Sequence, residues 1–253
     1  MINLKHVCIS SYFGGLGDSL QFSTLPELFS NSGRDVFVWD KAYFRNPEVK
    51  ELVWDCNPFI KGTAPGIWNA GDLPGLHKPV HENCISNWEI LHGFEPTNIY
   101  PKIYYDVEYQ SGYEDVVLVD FSSITHKYDK EKIEDAFKKI RESEFSGKRV
   151  VQVAFKKDLN KKGAPPGRSN DGNFHFYDIC KDKIEINSLF EYCNLIGSCH
   201  GMITTYSGAS PLSSALKRQN KNLRSICIIP EEQYENDKKR SIFIFDNIEY
   251  NLI

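Results

Sequence analysis

No apolar run in the 253 residues approaches the roughly 18 that a membrane-crossing helix needs. Met1 to His6 lacks the charged and apolar regions of a secretory signal. A cytoplasmic chain is therefore expected. No two of the 7 cysteines form a C-x-x-C pair, and the odd number excludes a fully paired disulfide framework; free thiols in a reducing compartment fit better. Charge of one sign is not in excess: 30 basic against 34 acidic residues give a net charge of −4. The chain as a whole is not a cationic glove for nucleic acid or anionic lipid. G-x-G-x-x-G, a phosphate-binding P-loop and the G-x-S-x-G nucleophile elbow are all missing.

What remains is ordinary globular composition, with 41% hydrophobic and 25% charged residues. A chain of this length buries roughly 70–75% of its unfolded surface. Aromatics reach 13%, enough to build a core or platforms for sugar rings and bases.

Short apolar runs alternate with amphipathic stretches. Val7–Ser10 predicts a buried strand, Ser19–Ser32 a helix stopped by Gly33, and Val36–Trp39 a second strand. Strand, glycine-rich turn, helix, strand is a βαβ unit and implies a parallel sheet. Phe44–Leu52 predicts a short helical piece, Gly62–Trp88 a long loop, Trp88–Gly93 another helix, and Ile103–Tyr105 an extended segment. Gln110-Ser111-Gly112 suits a linker. Beyond it, Val116–Asp120, Val150–Ala154, Gly201–Thr205 and Ile226–Pro230 predict strands. Lys130–Ser143, Ile186–Asn194 and a stretch ending at Leu216 predict helices. Two α/β lobes, split near residue 111 around a cleft, are expected.

Two strand-to-helix turns stand out. Gly14-Gly15-Leu16-Gly17-Asp18 lies at the carboxyl end of the first strand, where open α/β sheets bind ligands. Its small residues let a substrate approach the backbone, and the helix start favours negative charge. The plainer reading is that Asp18 caps the helix. Tyr206-Ser207-Gly208-Ala209-Ser210-Pro211 is the second turn, where backbone N–H groups and hydroxyls can hold a phosphate. One such turn in each lobe, both facing one cleft, is the more telling pattern.

His77-x3-His81-x2-Cys84, with Cys56 upstream, has reachable zinc spacing but no second tight pair, so no metal is assigned. Lys156, Lys157, Lys161, Lys162 and Arg168 cluster within thirteen positions, either as a solvated loop or as contacts to phosphates, including a nucleic-acid backbone. Cys8, Cys193 and Cys227 sit in apolar runs and fit a core.

These segments together resemble the heptosyltransferase-like glycosyltransferases of family nine. Gly15-Leu16-Gly17-Asp18 through Thr24-Leu25-Pro26 resembles their opening. His81-Glu82-Asn83 through Trp88, Leu91-His92-Gly93 and Pro101 is similar to the end of their first lobe. Phe121-Ser122-Ser123 to Lys127-Tyr128 resembles the loop after the second lobe's first strand. Ser188 to Ser198 and Thr205 to Leu216 resemble the donor-side helix, strand and turn. Where the family has an Asp and a His around its Ser-Gly turn, this chain has Tyr206 and Pro211, so those two donor contacts do not carry over.

The resemblance implies a B-type glycosyltransferase fold: two Rossmann-like α/β lobes with parallel sheets facing a cleft, in a compact version. Residues 1–111 would form the acceptor-side lobe and residues 112–253 the nucleotide-sugar lobe. It implies inverting transfer from a nucleotide-diphosphate sugar, with no metal required. Asp18 would be the general base. Lys127 would offset charge on the departing diphosphate, with Gly15, Gly17, Ser207, Gly208, Ala209 and Ser210 contacting the donor. The acceptor is expected to be a surface glycan. A modified DNA base is the alternative, with Trp68, Trp88, Lys161, Lys162 and Arg168 as its contacts. A nucleotide- or sugar-binding module without catalysis is a third reading.

Overall fold

The computed structural model describes residues 6–11, 14–66, 68–71, 78–123, 127–155 and 175–253, with backbone alone at 68–71. The chain begins with β1 (His6–Ser10), α1 (Leu16–Leu20), α2 (Leu25–Asn31) and β2 (Asp35–Trp39). α3 (Pro47–Lys50) runs on as a π-helical turn over Glu51–Asp55, before β3 (Ile60–Ala64), β4 (Trp68–Gly71) and α4 (Cys84–Leu91). These strands form a parallel sheet in the order β3-β2-β1-β4.

The second half contains β5 (Val116–Asp120), β6 (Ser122–Ser123), α5 (Lys130–Glu144), β7 (Arg149–Phe155), β8 (His175–Phe176), β9 (Lys183–Ile186), α6 (Leu189–Ser198), β10 (Gly201–Thr205), α7 (Ala209–Leu216), β11 (Arg224–Ile229), α8 (Glu231–Arg240) and β12 (Glu249–Leu252). Six of these strands form a second parallel sheet, β12-β11-β10-β5-β7-β9. β6 and β8 pair antiparallel beside it. β5 and β10 are buried along their whole length, as expected of central strands covered on both faces.

The expected α/β architecture with parallel sheets is present. Several elements differ from the expectation, each for a local reason. The helix over 19–32 is broken into α1 and α2. Pro26 has no N–H to donate back to the preceding turn, and its ring clashes there. Ser23 fills the break: its hydroxyl donates to Leu20 O at 2.7 Å and accepts from Lys102 N at 2.8 Å. Part of the expected loop 62–88 is structured, as β3, β4 and an α4 that starts early, where Asn83 caps it by accepting from Ser86 N at 3.0 Å. The helix expected from Ile186 starts at Leu189. Ser188 caps it, accepting from Glu191 N at 3.0 Å, and Glu191 Oε2 accepts from Asn187 N at 2.8 Å.

α5 follows its pattern: Ile133, Phe137 and Ile140 are buried, and Phe137 meets Phe121 edge to face at 5.5 Å. None of the seven cysteines is in a disulfide. Among the described residues, no helix is long and apolar enough to cross a membrane.

The segment between the sheets is tied to the second one. Glu108 N and Tyr105 Oη both donate to Asn194 Oδ1 at 2.9 Å, and Gln110 N donates to Ser198 Oγ at 2.8 Å. Near the C-terminus the chain returns the contact: Asn83 Nδ2 donates to Asp246 Oδ2 at 2.8 Å.

Candidate active site

β1 leads into a backbone that only glycine accepts easily. Gly14 has φ +63°, and a Cβ there would lie 2.3 Å from Tyr43 O. Gly15 begins α1, and its N–H donates to Asp18 Oδ2 at 3.0 Å. The carboxylate thus folds back over the turn, half-buried, and the capping role expected of Asp18 is present. Arg45 Nη1 shares that space, 3.8 Å from where a Cβ on Gly15 would stand. Arg45 N also donates to Gly14 O at 2.9 Å. Arg45 was not among the expected site residues. It precedes the Asn46 cap of α3, and only the packing of β2's exit against β1's brings it here.

The second turn meets the first. A Cβ on Gly17 would lie 3.5 Å from Pro211 Cγ and 3.8 Å from Gly208 Cα, and one on Gly208 would lie 3.1 Å from Leu16 Cβ. Both turns lie at carboxyl ends of their strands, β1 and β10, and pack backbone to backbone. Phe243 joins them, its ring 3.9 Å from the same Gly17 position and its own φ at a left-handed +55°. A bulky residue in that region is a strained outlier that the surrounding packing must hold. No sequence signal marks it.

Within the second turn, Ser210 N donates to Ser207 O at 3.2 Å and Ala209 N to Ser207 Oγ at 3.4 Å. Ser210 is 1% exposed, and its Oγ has no oxygen or nitrogen partner. It faces the buried Cys227 thiol, which burial pushes up to about 12 although Thr204 and Ser210 pull it down. Its hydroxyl therefore serves the core, whereas Ser207 and Gly208 are half-buried at the surface of the turn. Tyr206 is also turned inward: its hydroxyl donates to Asp237 Oδ2, which also accepts from Gln233 Nε2 at 2.7 Å.

Lys127 is exposed and borders a recess of about 240 Å³ lined by Tyr128, Pro230, Glu232, Gln233 and Asn236. Tyr128 anchors it: Tyr128 N donates to Tyr177 Oη at 2.6 Å, and Tyr128 Oη donates to Tyr206 O at 3.0 Å. Asp120, at the end of β5, is a buried acid missed from the sequence. Its Oδ1 accepts from Ser122 N at 2.9 Å and Ser122 Oγ at 2.5 Å, and its Oδ2 from Tyr192 Oη at 2.8 Å. Burial pushes its pKa up against these hydrogen bonds. The signal available was an acid closing the apolar run Val116–Val119.

One expected contact is corrected. Trp88 is 2% exposed, packed edge to face on Phe22 at 4.7 Å, and its Nε1 donates to Gln21 Oε1 at 3.1 Å. It is a core residue with its polar handle satisfied, not a stacking platform. The side chain of Trp68 and all of Lys156, Lys157, Lys161, Lys162, Arg168 and His77 lie outside the described residues. Among the described residues, no group of three or more His, Cys, Asp or Glu side chains is placed to hold a metal ion. His81 Nδ1 accepts from Asn83 N at 3.0 Å, and burial pushes the Cys84 thiol up to about 12. Burial does the same to Cys199, which is no activated nucleophile.

No family model matches the chain, and no curated protein does. Solved structures do. The chain is similar to the iron-containing dodecameric glycosyltransferase TibC of enterotoxigenic E. coli H10407, at 14% identity and a TM-score of 0.59, covering 98% of this chain and 64% of that one. It is similar to TibC, described as a heptosyltransferase, in complex with ADP-D-beta-D-heptose, at 14% identity and TM-score 0.55, over 97% of this chain and 64% of that one. A family 9 glycosyl transferase from Veillonella parvula matches at 9% identity and TM-score 0.54, over 95% of this chain and 90% of that one. The chain thus spans under two thirds of the length of the TibC structures. Its fold is that of the heptosyltransferase-like, two-lobed B-type glycosyltransferases.

Proposed function

We propose that the chain is an inverting glycosyltransferase that moves a sugar from a nucleotide-diphosphate sugar to an acceptor hydroxyl. The observation that carries the reading is the contact of the Gly15–Asp18 turn with the Ser207–Pro211 turn, which sets a carboxylate beside a glycine-rich helix start from the other sheet. Residues 1–111 then serve the acceptor, and residues 112–253 the donor. The acceptor oxygen attacks the anomeric carbon as the bond from that carbon to the diphosphate oxygen breaks. Asp18 takes the acceptor's proton, and the nucleoside diphosphate leaves with the bonding pair. Lys127 and the backbone of Ser207 and Gly208 offset the charge that develops on it, as preorganised donors do. None of these steps calls for a metal ion.

The test is a panel of nucleotide sugars screened for thermal stabilisation of the full chain. A ligand present at 100 times its dissociation constant adds about 2.7 kcal/mol. A clear preference for one nucleotide sugar, followed by transfer of its sugar, supports the reading. Stabilisation by none of them overturns it. Stabilisation without transfer to any glycan acceptor, or hydrolysis, supports the non-catalytic binding module instead.

The acceptor we favour is a surface glycan. A second reading, a modified DNA base, draws on the basic stretch between Phe155 and His175. β8, which follows it, pairs with Ser122–Ser123, the segment that leads to Lys127. Phosphate contacts there would favour a nucleic-acid acceptor.

A further inference from the structure

Lys127 is exposed, two residues before the Asp129 cap of α5, and carries its charge on a long flexible stem. Behind it, however, lies a buried chain of hydrogen bonds. Tyr128 Oη donates to the backbone carbonyl of Tyr206 at 3.0 Å. The Tyr206 hydroxyl donates to Asp237 Oδ2, and Gln233 Nε2 donates to the same oxygen at 2.7 Å. Tyr128, Tyr206 and Asp237 are 6%, 7% and 3% exposed. Gln233 also lines the recess that Lys127 borders. The chain thus runs from one wall of the recess, through the base of the Ser207–Gly208 turn, to the other wall on α8.

We propose that Tyr128 and Tyr206 are positioning residues that lock Lys127, the Ser207–Gly208 turn and α8 into one diphosphate-binding arrangement. The inference rests on the reading of Lys127 as a diphosphate contact. A tyrosine at 206 is suited to this: buried, it cannot reach a ligand, but its ring spans the distance to an acid on α8. The bond to a carboxylate is charge-assisted and so stronger than a neutral one. Burial and the adjacent Asp237 carboxylate both push the Tyr206 hydroxyl well above its ordinary pKa, which keeps it a donor.

The experiment is a double-mutant cycle on the full chain, with inorganic pyrophosphate, ADP and UDP as probes. Tyr128→Phe and Tyr206→Phe each remove one hydroxyl and keep the ring. Each should weaken binding of the probes about fivefold, the effect of one hydrogen bond. In a Lys127→Ala background each should weaken it clearly less, because part of the effect runs through Lys127 and coupled residues are non-additive. Asp237→Asn, which still accepts from Tyr206, should retain most of the affinity. Amide hydrogen exchange at Tyr128, read without ligand, should speed up in Tyr206→Phe while β10 and β11 stay protected. Unchanged exchange there overturns the inference whatever binds. Equal weakening in both backgrounds also overturns it, as a merely structural effect. If the exchange result holds but the wild-type chain binds none of the probes, the diphosphate reading falls and the positioning role for that ligand falls with it. If Tyr206→Phe does not fold, Tyr128→Phe carries the cycle alone.

Discussion

Asp18 is third in a five-residue helix, close enough to the helix start to cap it and exposed enough to meet an acceptor. The two roles separate by substitution. Asp18→Asn keeps the size and one carbonyl acceptor for Gly15 N, so the fold and donor affinity should persist. Transfer should fall by about 10²–10⁴, the contribution of a positioned general base. Near-wild-type turnover in a steady-state assay would leave Asp18 as a cap alone. Lys127 is the converse case, an exposed side chain at the edge of a recess. Lys127→Ala should raise the donor's KM and slow transfer together, by roughly ten- to a hundredfold, the range for a lost hydrogen bond to a charged group. Unchanged donor KM and kcat would remove it from the site. Trp88 shows why residue type alone misleads: an aromatic is platform or core according to whether its polar edge finds a buried partner. Here Gln21 supplies one.

At the scale of elements, β12 closes the second sheet with four residues and depends on its side chains. Arg224 on β11 donates from Nε and Nη2 to the two Glu249 oxygens, each at 2.8 Å. That hydrogen bonding holds Glu249 below the usual carboxylate range. A carboxylate whose folded pKa is depressed stabilises the fold above its unfolded pKa, and the benefit is lost as pH falls through the folded value. Urea unfolding of the wild type and Glu249→Gln should therefore differ near pH 7, by no more than about 1 kcal/mol for so exposed a pair. The difference should shrink as pH falls below the ordinary glutamate value of 4.5. A gap that is constant with pH would mean the pair contributes nothing through its charge. α8 shows the limit of pattern reading. Only Asp237 of its ten residues is buried, so no apolar stripe announced it.

For the whole molecule, the balance of charge decides between acceptors. The net charge of −4 does not favour DNA, so any affinity must come from the basic stretch. If a DNA base is the acceptor, Lys161→Ala with Lys162→Ala should weaken duplex binding by a similar factor for all sequences. The double change should also flatten the salt dependence by about 0.9 per lost contact. Anisotropy titrations at several salt concentrations measure both. No wild-type binding at low salt sinks the DNA acceptor, and salt-steep binding lost in the variant places it ahead of the glycan. The sequence by itself determined the alternation of strands and helices, because buried strands such as Val116–Asp120 and the stripe of α5 write their burial into residue order. It also determined both glycine turns, because left-handed and close-packed backbone restricts residue type locally. Only the tertiary structure decided that Gly17 meets Gly208, that Arg45 comes to Gly15, and that Tyr206 turns inward to Asp237. Those contacts join residues far apart in the chain, the first across the two sheets and the others between neighbouring elements of one sheet's layer, and each depends on packing rather than on any local preference.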